Sequence, residues 1–447
     1  MVKTLLSSLP LLRHQRREFA ATRCAILCGA PRARSSRKMA LPEIVAHHFE
    51  QAGDTVAAIT HWGEAARRAA AQGAHAEALN HLTRALTLLE NLPLDAARNL
   101  LTCDLLLQQA GSMRVLDRFD EAFEVLSQAE ALALEPDDAR RLADICFLRG
   151  NLHFPRGDFN GCQEQHARSL ALAQRVGNPE RQARALSGLG DASYMRGAMI
   201  TAFGHFDRCV ELGRQQNLPN IVAANQVMRG LARFYQNDVD NGLADVEASV
   251  QLAEEIGALR AALVAYTCLS IVFLDIGHLD DLCESMERIK ALCEVTGARR
   301  FVCRYFMTAG LICMQKGDPR RAQELVEEAF ATCEESGAAF QGAATLGTLA
   351  LVAEDEAVRA DALQVSAQHG QWSELERYAE RLAAYTRDEP LPYTDLFIAR
   401  GRALARFGRD PRDGHARAEL LRVRAEALRI GLHSARLPAS VEAAVVA

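Results

Sequence analysis

One pattern recurs at a constant interval along the middle of this chain, and each recurrence falls on a residue that can end a helix. These helix stops form a first series, Asp117, Gly157, Gly197, Asn237, Gly277 and Gly317, and a second series offset by half the interval, Gly177, Asn217, Gly257, Gly297 and Gly337. Gly and Asn tolerate the left-handed backbone conformation that closes a helix C-terminus. Two stops per interval therefore predict two helices of about 18 residues in each repeat, which is a helical hairpin.

Small residues stand at fixed distances from the stops of the first series. Seven residues before the stop come Ala110, Gly150, Gly190, Gly230, Ser270 and Gly310; five after it come Ala122, Cys162, Ala202, Gly242, Leu282 and Ala322; twelve after it come Ala129, Ser169, Cys209, Ser249, Ile289 and Ala329. Small side chains let two helix axes approach to the low end of the usual ~8 to 10 Å range. We therefore predict that the two helices of each hairpin cross at these positions.

This spacing of small residues around a turn resembles the tetratricopeptide repeat over residues 54–337. The family implies an all-α fold, an α-solenoid or right-handed superhelix of antiparallel hairpins whose first helices, the A helices, line a concave surface. The chain departs from the family in its period of about 40 rather than ~34 residues, in the absence of a regular proline, and in Leu282 and Ile289 at normally small positions. The period alone would favour HEAT or armadillo repeats of ~40 to 47 residues, whereas the small-residue triplet favours the tetratricopeptide class.

Composition and charge fit a long helical protein. Hydrophobic residues make up 49% of the 447 residues and aromatic residues 6%. Residues 1–38 hold nine basic side chains and one acid, Glu18, whereas the remainder holds 42 basic and 56 acidic side chains. This acidic body argues against nucleic acid as the main ligand, because neutralising phosphates requires a basic face.

The 12 cysteines show no metal-binding or disulfide pattern. There is no C-x-x-C pair and no histidine at ligand spacing beside the helix-interior cysteines, which are Cys209, Cys268, Cys283, Cys293, Cys303, Cys313 and Cys333. Free cysteine is a small apolar residue that is often buried. We predict that these cysteines pack in the core in a reducing compartment, while Cys24 and Cys28 stay unassigned.

Residues 1–38 differ from the rest of the chain. Their apolar run, within "LLSSLPLLRHQRR", is too short for a signal-peptide core or a membrane span. The segment is either an Arg-rich transit peptide or a disordered leader ahead of an internal start such as Met39. Because helical sequence begins directly after Met39, we favour the disordered leader.

Residues 39–93 are predicted to form three helices separated at Gly53 and Gly73. The small triplet around Gly73 is Ala66, Ala78 and Ala85, so 54–72 is an A helix, 74–91 is its partner, the B helix, and 41–52 is a half repeat.

The same block contains "AHHFEQAG", "AITHWGEAARRA" and "EALNHLTRALTLL", and the chain later contains "IARGRALARFGRD" and "EALRIGL". These stretches resemble the tetratricopeptide C-terminal regions of bacterial class III adenylate cyclases and related ATPase regulators. The resemblance implies a regulatory arm. The catalytic parts of that family are missing, since the sequence has no G-x-x-x-x-G-K-[ST] phosphate loop and no visible C-terminal helix-turn-helix.

Residues 338–447 continue as helices but lose the register of the array. Leucines fill the small positions around Gly370, namely Leu363, Leu375 and Leu382. Gly408 has Gly401 seven residues before it, yet "RDPRDGH" delays the next helix. We predict a degenerate repeat, a final hairpin and a cap, with "LPASVEAAVVA" as a last short helix or a frayed tail.

No stretch of the sequence predicts a membrane span or a catalytic site. The longest apolar stretch, 261–274, is shorter than the about 20 residues that a span needs. His47 and His48, beside Glu50, point to different helix faces, unlike a zinc motif. The remaining candidates have structural interpretations. Glu354, Asp355 and Glu356 are predicted to lie on a solvated face, and Trp62 and Trp372 to pack between helices. His153, His166 and His205 are predicted at packing or groove positions without a partner acid. We predict no catalytic residue, no metal and no cofactor.

The resemblance does imply a binding groove. In tetratricopeptide arrays the positions thirteen, ten, six, three and two residues before the stop face the concave surface. Here they are Asn151, Phe154, Arg184, Ser187, Asp191, Tyr194, Phe234, Tyr235, Thr267, Arg304, Met307 and Met314. This mixture of aromatic, Met and Arg side chains suits a protein-binding groove, and the alternative for each residue is that it merely packs. Phe147 replaces the lysine with which some family members clamp a peptide carboxylate beside Asn151, which disfavours that mode.

We therefore predict a non-enzymatic, cytoplasmic protein-protein interaction scaffold, serving as a regulatory arm in bacterial signalling and binding a protein or peptide but neither nucleic acid nor membrane. The alternative is the repeat region of, or a partner to, an adenylate cyclase or ATPase-type regulator. The predicted division is a leader at 1–38, N-terminal helices at 39–93, a regular array at 94–337, and degenerate repeats with capping helices at 338–447. The oligomeric state stays open.

Deleting residues 1–38 tests the division at the leader. Since this segment shares neither the helical period nor the acidic charge of the body, the chain beginning at Met39 should keep its helicity and melting temperature in circular dichroism. Loss of cooperative melting in the shortened chain would contradict the prediction.

Overall fold

The computed structural model describes residues 41–134, 137–335, 372–437 and 439–446, and its regular elements in these ranges are helices. The first six are α1 (Pro42–Ala52), α2 (Thr55–Ala71), α3 (His75–Leu89), α4 (Ala96–Val115), α5 (Phe119–Leu134) and α6 (Ala139–His153). A 3-10 turn (Phe154–Arg156) precedes α7 (Phe159–Arg175), α8 (Pro179–Met195), α9 (Met199–Gln215), α10 (Pro219–Phe234), α11 (Val239–Glu255), α12 (Leu259–Ile276), α13 (Leu279–Thr296), α14 (Arg299–Gln315) and α15 (Pro319–Glu335).

The C-terminal part contains α16 (Trp372–Tyr385), α17 (Pro392–Arg409), α18 (Gly414–Arg429), a second 3-10 turn (His433–Ala435) and α19 (Ala439–Val446). Outside the described residues lie the leader 1–38, the acidic run 354–356, Gly337 and the degenerate repeat around Gly370, as does the side chain of Trp372.

The chain divides into two compact units, one ending at Leu152 and one beginning at His153. This division falls inside the predicted regular array, and the boundaries at 93 and 337 stay predictions. Within each unit consecutive helices pack as hairpins, for example α2 with α3 in the first unit and α10 with α11 in the second. The fold class is therefore the predicted one, an all-α solenoid of helical hairpins, and α8, α10, α12 and α14 begin at the same point of successive repeats.

The A helices also contact one another. In the second unit α8 packs against α10, α10 against α12, and α12 against α14, so these four helices form one layer, called the inner layer below. Each B helix between two of them packs on both, as α9 does on α8 and α10. This two-layer arrangement buries the apolar stripe of every helix against neighbours in the same array.

The predicted helix stops have the expected backbone conformation. Asp117, Asn217 and Asn237 have φ of 58°, 53° and 63°, and the described glycines of both series have φ between 63° and 82°. The residue after each stop of the first series donates its N–H to the carbonyl four residues before the stop, as Ala198 does to Ser193 at 3.0 Å. The sequence analysis missed one member of the second series, Asp137, which has φ 47° and stands one period before Gly177.

The helices of a hairpin approach closely where small residues were predicted. A Cβ built on Gly230 would lie 2.7 Å from the carbonyl oxygen of Gly242, and one on Gly242 would lie 2.9 Å from the oxygen of Gly230. A Cβ on Gly190 would meet the ring of the fully buried Phe206 at 2.5 Å. Leu282 and Ile289, the two large residues at such positions, are also fully buried.

Three observations refine the predictions for the second half of the chain. α17 continues through Gly408 to Arg409, so Gly408 is not a helix stop, and the left-handed residue that follows α18 is Gly431. The predicted last short helix is α19. The apolar run 261–274 lies in α12. Within the described part of the chain, α12 is the one helix long and apolar enough to cross a membrane. Half of its 18 residues are buried, including Leu263 and Val272.

The crossing point at Gly230 can be tested with one substitution at two sites. Gly230→Ala places a methyl group against backbone that cannot rotate away, and overpacking of this kind costs ~1 to 3 kcal/mol or more. Gly204→Ala in the neighbouring α9 adds the same methyl group where nothing lies within 4 Å, and replacing glycine inside a helix gains up to ~1 kcal/mol. The melting temperature should therefore fall for Gly230→Ala and stay the same or rise for Gly204→Ala. Equal shifts for the two variants would show that the helices do not cross at Gly230.

Candidate protein-binding site

Several predicted groove residues belong to the core. Phe234 is fully buried, and Thr267 and Met307 are 8% and 3% exposed. The Thr267 hydroxyl donates to the carbonyl of Leu263 in its own helix, at 2.7 Å. These three side chains pack within the array, and little or none of their surface faces outward.

The other predicted residues keep exposed surface. Arg184 and Met314 lie at the surface, and Arg184 pairs with Glu180 of its own helix at 3.1 Å. Asn151 and Phe154 are half-buried, the first in the N-terminal unit and the second in the C-terminal unit. The half-buried residues that the inner layer brings together are Ser187, Asp191 and Tyr194 of α8, Tyr235 after α10, and Arg304 of α14.

Asp191 and Arg304 act on the same neighbours. Burial raises the pKa of the Cys268 thiol to about 12, the charge of Arg304 opposes this shift, and the charge of Asp191 adds to it. The same two charges act on Tyr194, whose pKa burial raises to about 12. The rings of Tyr194 and Tyr235 lie 6.5 Å apart between centroids. The inner layer thus combines two neutral phenols with one acid and one base.

Within the described part of the chain, no ion pair neutralises Asp191 or Arg304. Burial raises the pKa of Asp191 from 3.8 to about 7, and no hydrogen bond or ion pair to its carboxylate occurs within the described ranges. The Nε atom of Arg304 is buried, also without a hydrogen-bond partner among the described residues. Elsewhere in the same unit a buried guanidinium is fully paired: Arg229 donates to Asp245 at 3.0 Å and to Asp207 at 3.1 Å.

A segment from the C-terminal part of the chain covers the edge of the inner layer. We call residues 385–397 the strap. Tyr393 of the strap packs with its ring centroid 5.1 Å from that of Tyr235 and 6.0 Å from that of Phe234. Its hydroxyl donates to Asp275 at 3.2 Å, at the end of α12. Sequence analysis missed these contacts because periodicity reports only neighbours within the array, not a segment from a distant part of the chain.

The residues around Glu50 have a structural role. Trp62 is 6% exposed and donates its indole N–H to Glu50 at 3.1 Å, which confirms the prediction that it packs between helices. Arg84 donates to the same carboxylate at 2.9 Å and lies 4.9 Å above the Trp62 ring. The hydrogen bond from Arg84 is the main cause that lowers the pKa of Glu50, against the opposing effect of burial. Glu50 therefore joins α1, α2 and α3 as a pairing acid.

The comparison with known proteins bears on the fold alone. No protein-family model and no curated protein matches this sequence. Similar solved structures include a signal transduction ATPase with numerous domains that carries a tetratricopeptide repeat sensor, from Pyrococcus horikoshii, at 13% identity and TM-score 0.46, covering 69% of this chain and 46% of that chain. A Rap protein complexed with Competence and Sporulation Factor has 12% identity and TM-score 0.45, covering 70% of this chain and 96% of that one.

A tetratricopeptide repeat protein from Parabacteroides merdae has 15% identity and TM-score 0.38, covering 66% of this chain and 98% of that chain. Such low identity says nothing of function and leaves the cyclase resemblance without support. With the close crossings and the continuous layer of A helices described above, the chain has a helical-repeat fold of the tetratricopeptide type.

The raised pKa of Asp191 predicts a specific pH dependence of stability. Because the folded state holds the proton more tightly than the unfolded state, the stabilisation is complete below pH ~4 and is lost as pH rises through about 7. Asp191→Asn carries no such titration, so its melting temperature should rise relative to wild type between pH 5 and pH 8. The exposed Asp240→Asn in α11 serves as the control and should show no such relative rise. If the difference in melting temperature between Asp191→Asn and wild type stays constant from pH 5 to pH 8, the raised pKa of Asp191 is contradicted.

Proposed function

We propose that this protein is a non-enzymatic scaffold that binds a segment of a protein or peptide partner on the inner layer of its second unit. The observation that supports this best is the presence of Asp191 and Arg304 there without partners among the described residues. A half-buried charge without a partner costs free energy, and a ligand group of opposite charge offsets that cost. The partner segment therefore carries a basic group for Asp191 and an acidic group for Arg304.

The neighbouring side chains fit the same role. Tyr194 and Tyr235 are half-buried aromatic side chains near Asp191 and Arg304, and aromatic and arginine side chains dominate the binding energy of many protein interfaces. Ser187 adds a hydroxyl one turn before Asp191 on α8. A short segment with both charges and an apolar side chain would meet every one of these groups.

The chemistry of the buried thiols and of His166 argues against catalysis by these groups. Burial raises the pKa of Cys162, Cys209 and Cys268 to about 12, so these thiols are protonated at neutral pH and are poor nucleophiles. Burial lowers the pKa of His166 to about 4, which leaves it uncharged and weakly basic. Within the described ranges no group of three His, Cys, Asp or Glu side chains could hold a metal ion.

The finer proposal is that the scaffold is a cytoplasmic regulatory arm in bacterial signalling that acts with an adenylate cyclase or ATPase-type regulator. It rests on the resemblance of residues 41–93 to the repeat regions of such regulators. The thiols of Cys209, Cys268 and Cys293 are free, which fits a reducing compartment.

A random peptide display library tests the scaffold proposal without a known partner. We expect panning against the wild-type chain to yield peptides that contain a basic and an acidic residue. Asp191→Asn with Arg304→Gln should weaken their binding roughly tenfold or more, because each charge-assisted hydrogen bond is worth ~1.5 to 3 kcal/mol. The control pair Asp240→Asn with Arg320→Gln changes the same residue types on exposed B-helix positions and should leave affinity unchanged.

Recovery of no peptide, or of peptides equally sensitive to both pairs of substitutions, would contradict the proposal. Mg²⁺–ATP provides a second check, since a scaffold without a phosphate loop should gain no thermal stability from it. A rise in melting temperature with nucleotide would favour a catalytic or nucleotide-binding function.

A further inference from the structure

The contacts around Glu50 join a B-like helix, the following A helix and the next B helix. The acid lies on α1, the ring of Trp62 on α2 and the guanidinium of Arg84 on α3. The indole N–H and the guanidinium both donate to the carboxylate, and the guanidinium lies 4.9 Å from the centroid of the indole ring. We call this arrangement of an acid, an aromatic ring and an arginine the clamp.

The second unit contains the same clamp on α11, α12 and α13. The Tyr266 hydroxyl donates to Glu254 at 2.8 Å, Arg288 pairs with the same carboxylate, and its guanidinium lies 5.5 Å from the centroid of the tyrosine ring. In both clamps the aromatic residue stands eleven residues before the stop of its A helix, Gly73 or Gly277, and the arginine stands eleven residues after that stop. The clamp therefore follows the repeat register and closes the seam between two consecutive B helices.

The seam formed by α3, α4 and α5 keeps only the acid of the clamp. Leu106, eleven residues before Asp117, holds the position of the aromatic ring, and Gln128, eleven residues after Asp117, holds that of the arginine. Glu90 stands seventeen residues after the preceding A-helix stop, as Glu254 does in its repeat, and holds the position of the acid. A clamp cannot form within this seam, because it has neither the ring nor the positive charge.

An open groove lies where this clamp is missing. We call it the outer groove. Its volume is about 650 Å³, and the three clamp positions Glu90, Leu106 and Gln128 all line it. Leu106 and Val125 are 5% and 9% exposed and contribute apolar surface to the lining. A groove of this size with an apolar lining and a few polar groups has the character of a binding site.

Glu90 is the charged group of the outer groove. Its carboxylate has no ion-pair partner in the part of the chain that the structure describes. The counterparts Glu50 and Glu254 each accept a hydrogen bond from an arginine, and this bond is the main cause that lowers the pKa of each. A guanidinium from outside would give Glu90 the same contact. Arginine fits this role better than lysine because its planar fork pairs with a carboxylate and stacks on an aromatic ring.

We propose that the outer groove binds an arginine of a partner protein, whose guanidinium pairs with Glu90 while an aromatic ring of the same partner segment covers Leu106. The two clamps of the chain show that an acid, a ring and an arginine fit together at this position of the repeat. The outer groove belongs to the first unit, whereas Asp191 and Arg304 belong to the second. The inference therefore goes beyond the proposed function.

The test supplies the missing arginine from the chain itself. Gln128→Arg places a guanidinium at the position of Arg84 and Arg288, so it should pair with Glu90 and occupy the groove. A random peptide display library is panned against the full-length wild-type chain, and the recovered peptides are measured on each variant by fluorescence anisotropy. Peptides that bind the outer groove should contain an arginine and an aromatic residue, and should bind Gln128→Arg at least tenfold more weakly than wild type.

Three further variants control this result, and all of them change exposed positions. Gln128→Ala removes the same amide without supplying a guanidinium and should leave the affinity of these peptides unchanged. Glu90→Gln removes the charge with little change of shape and should weaken binding about tenfold. Glu77→Gln makes the same change at the opposite end of α3, where the glutamate only pairs with His81 at 3.5 Å, and should have no effect.

The proposal is overturned if no recovered peptide distinguishes Gln128→Arg from wild type, or if Glu90→Gln and Glu77→Gln weaken binding equally. Self-association of the wild-type chain that Gln128→Arg abolishes would identify a second copy as the occupant and would also contradict it. Peptides of the outer groove should keep their affinity for Asp191→Asn with Arg304→Gln. Peptides of the inner layer should lose theirs, so the two proposals fail separately.

Discussion

Every hairpin of the array depends on one residue in the left-handed conformation at the end of its first helix. The bond from the following N–H back to the carbonyl four residues before the stop satisfies groups that a helix end would otherwise leave unpaired. Because this closure uses only local backbone, the turn needs no tertiary partner. The side chains of each helix are then available for contacts with the neighbouring helices, and the array can extend one hairpin at a time.

The close approach of helices follows from these turns. Gly230 and Gly242 bring two backbones into direct contact, which a single added carbon would prevent. The hairpin of α12 and α13 is different, because it carries Leu282 and Ile289 at the corresponding positions. Both belong to the buried cluster that also includes Val423, Ile430 and Leu432 of the C-terminal helices. The larger side chains therefore occur in the repeat on which the end of the chain packs.

The charged side chains in the interior of the second unit fall into two groups. Arg229, Asp245 and Asp207 neutralise one another between helices, as buried charges in a stable core must. On the inner layer Asp191 and Arg304 act on the same tyrosine and the same thiol without neutralising partners in the described part of the chain. The surface next to them already holds one polypeptide segment, the strap. Together these features support a layer that binds peptide through charge and aromatic contact.

The sequence by itself determined the repeat, its helix boundaries and its crossing points, because a left-handed stop and a small residue each answer to a local backbone requirement. Even Asp137 could have been found from the same period. The sequence did not determine which groove residues are accessible. Phe234 and Met307 belong to the same predicted inward-facing set as Tyr235 and Arg304, but neighbouring helices bury Phe234 and Met307. Nor could it show that Glu389, far along the chain, caps α9. Those features were decided by the tertiary structure, because they join segments whose separation in sequence has no period to reveal it.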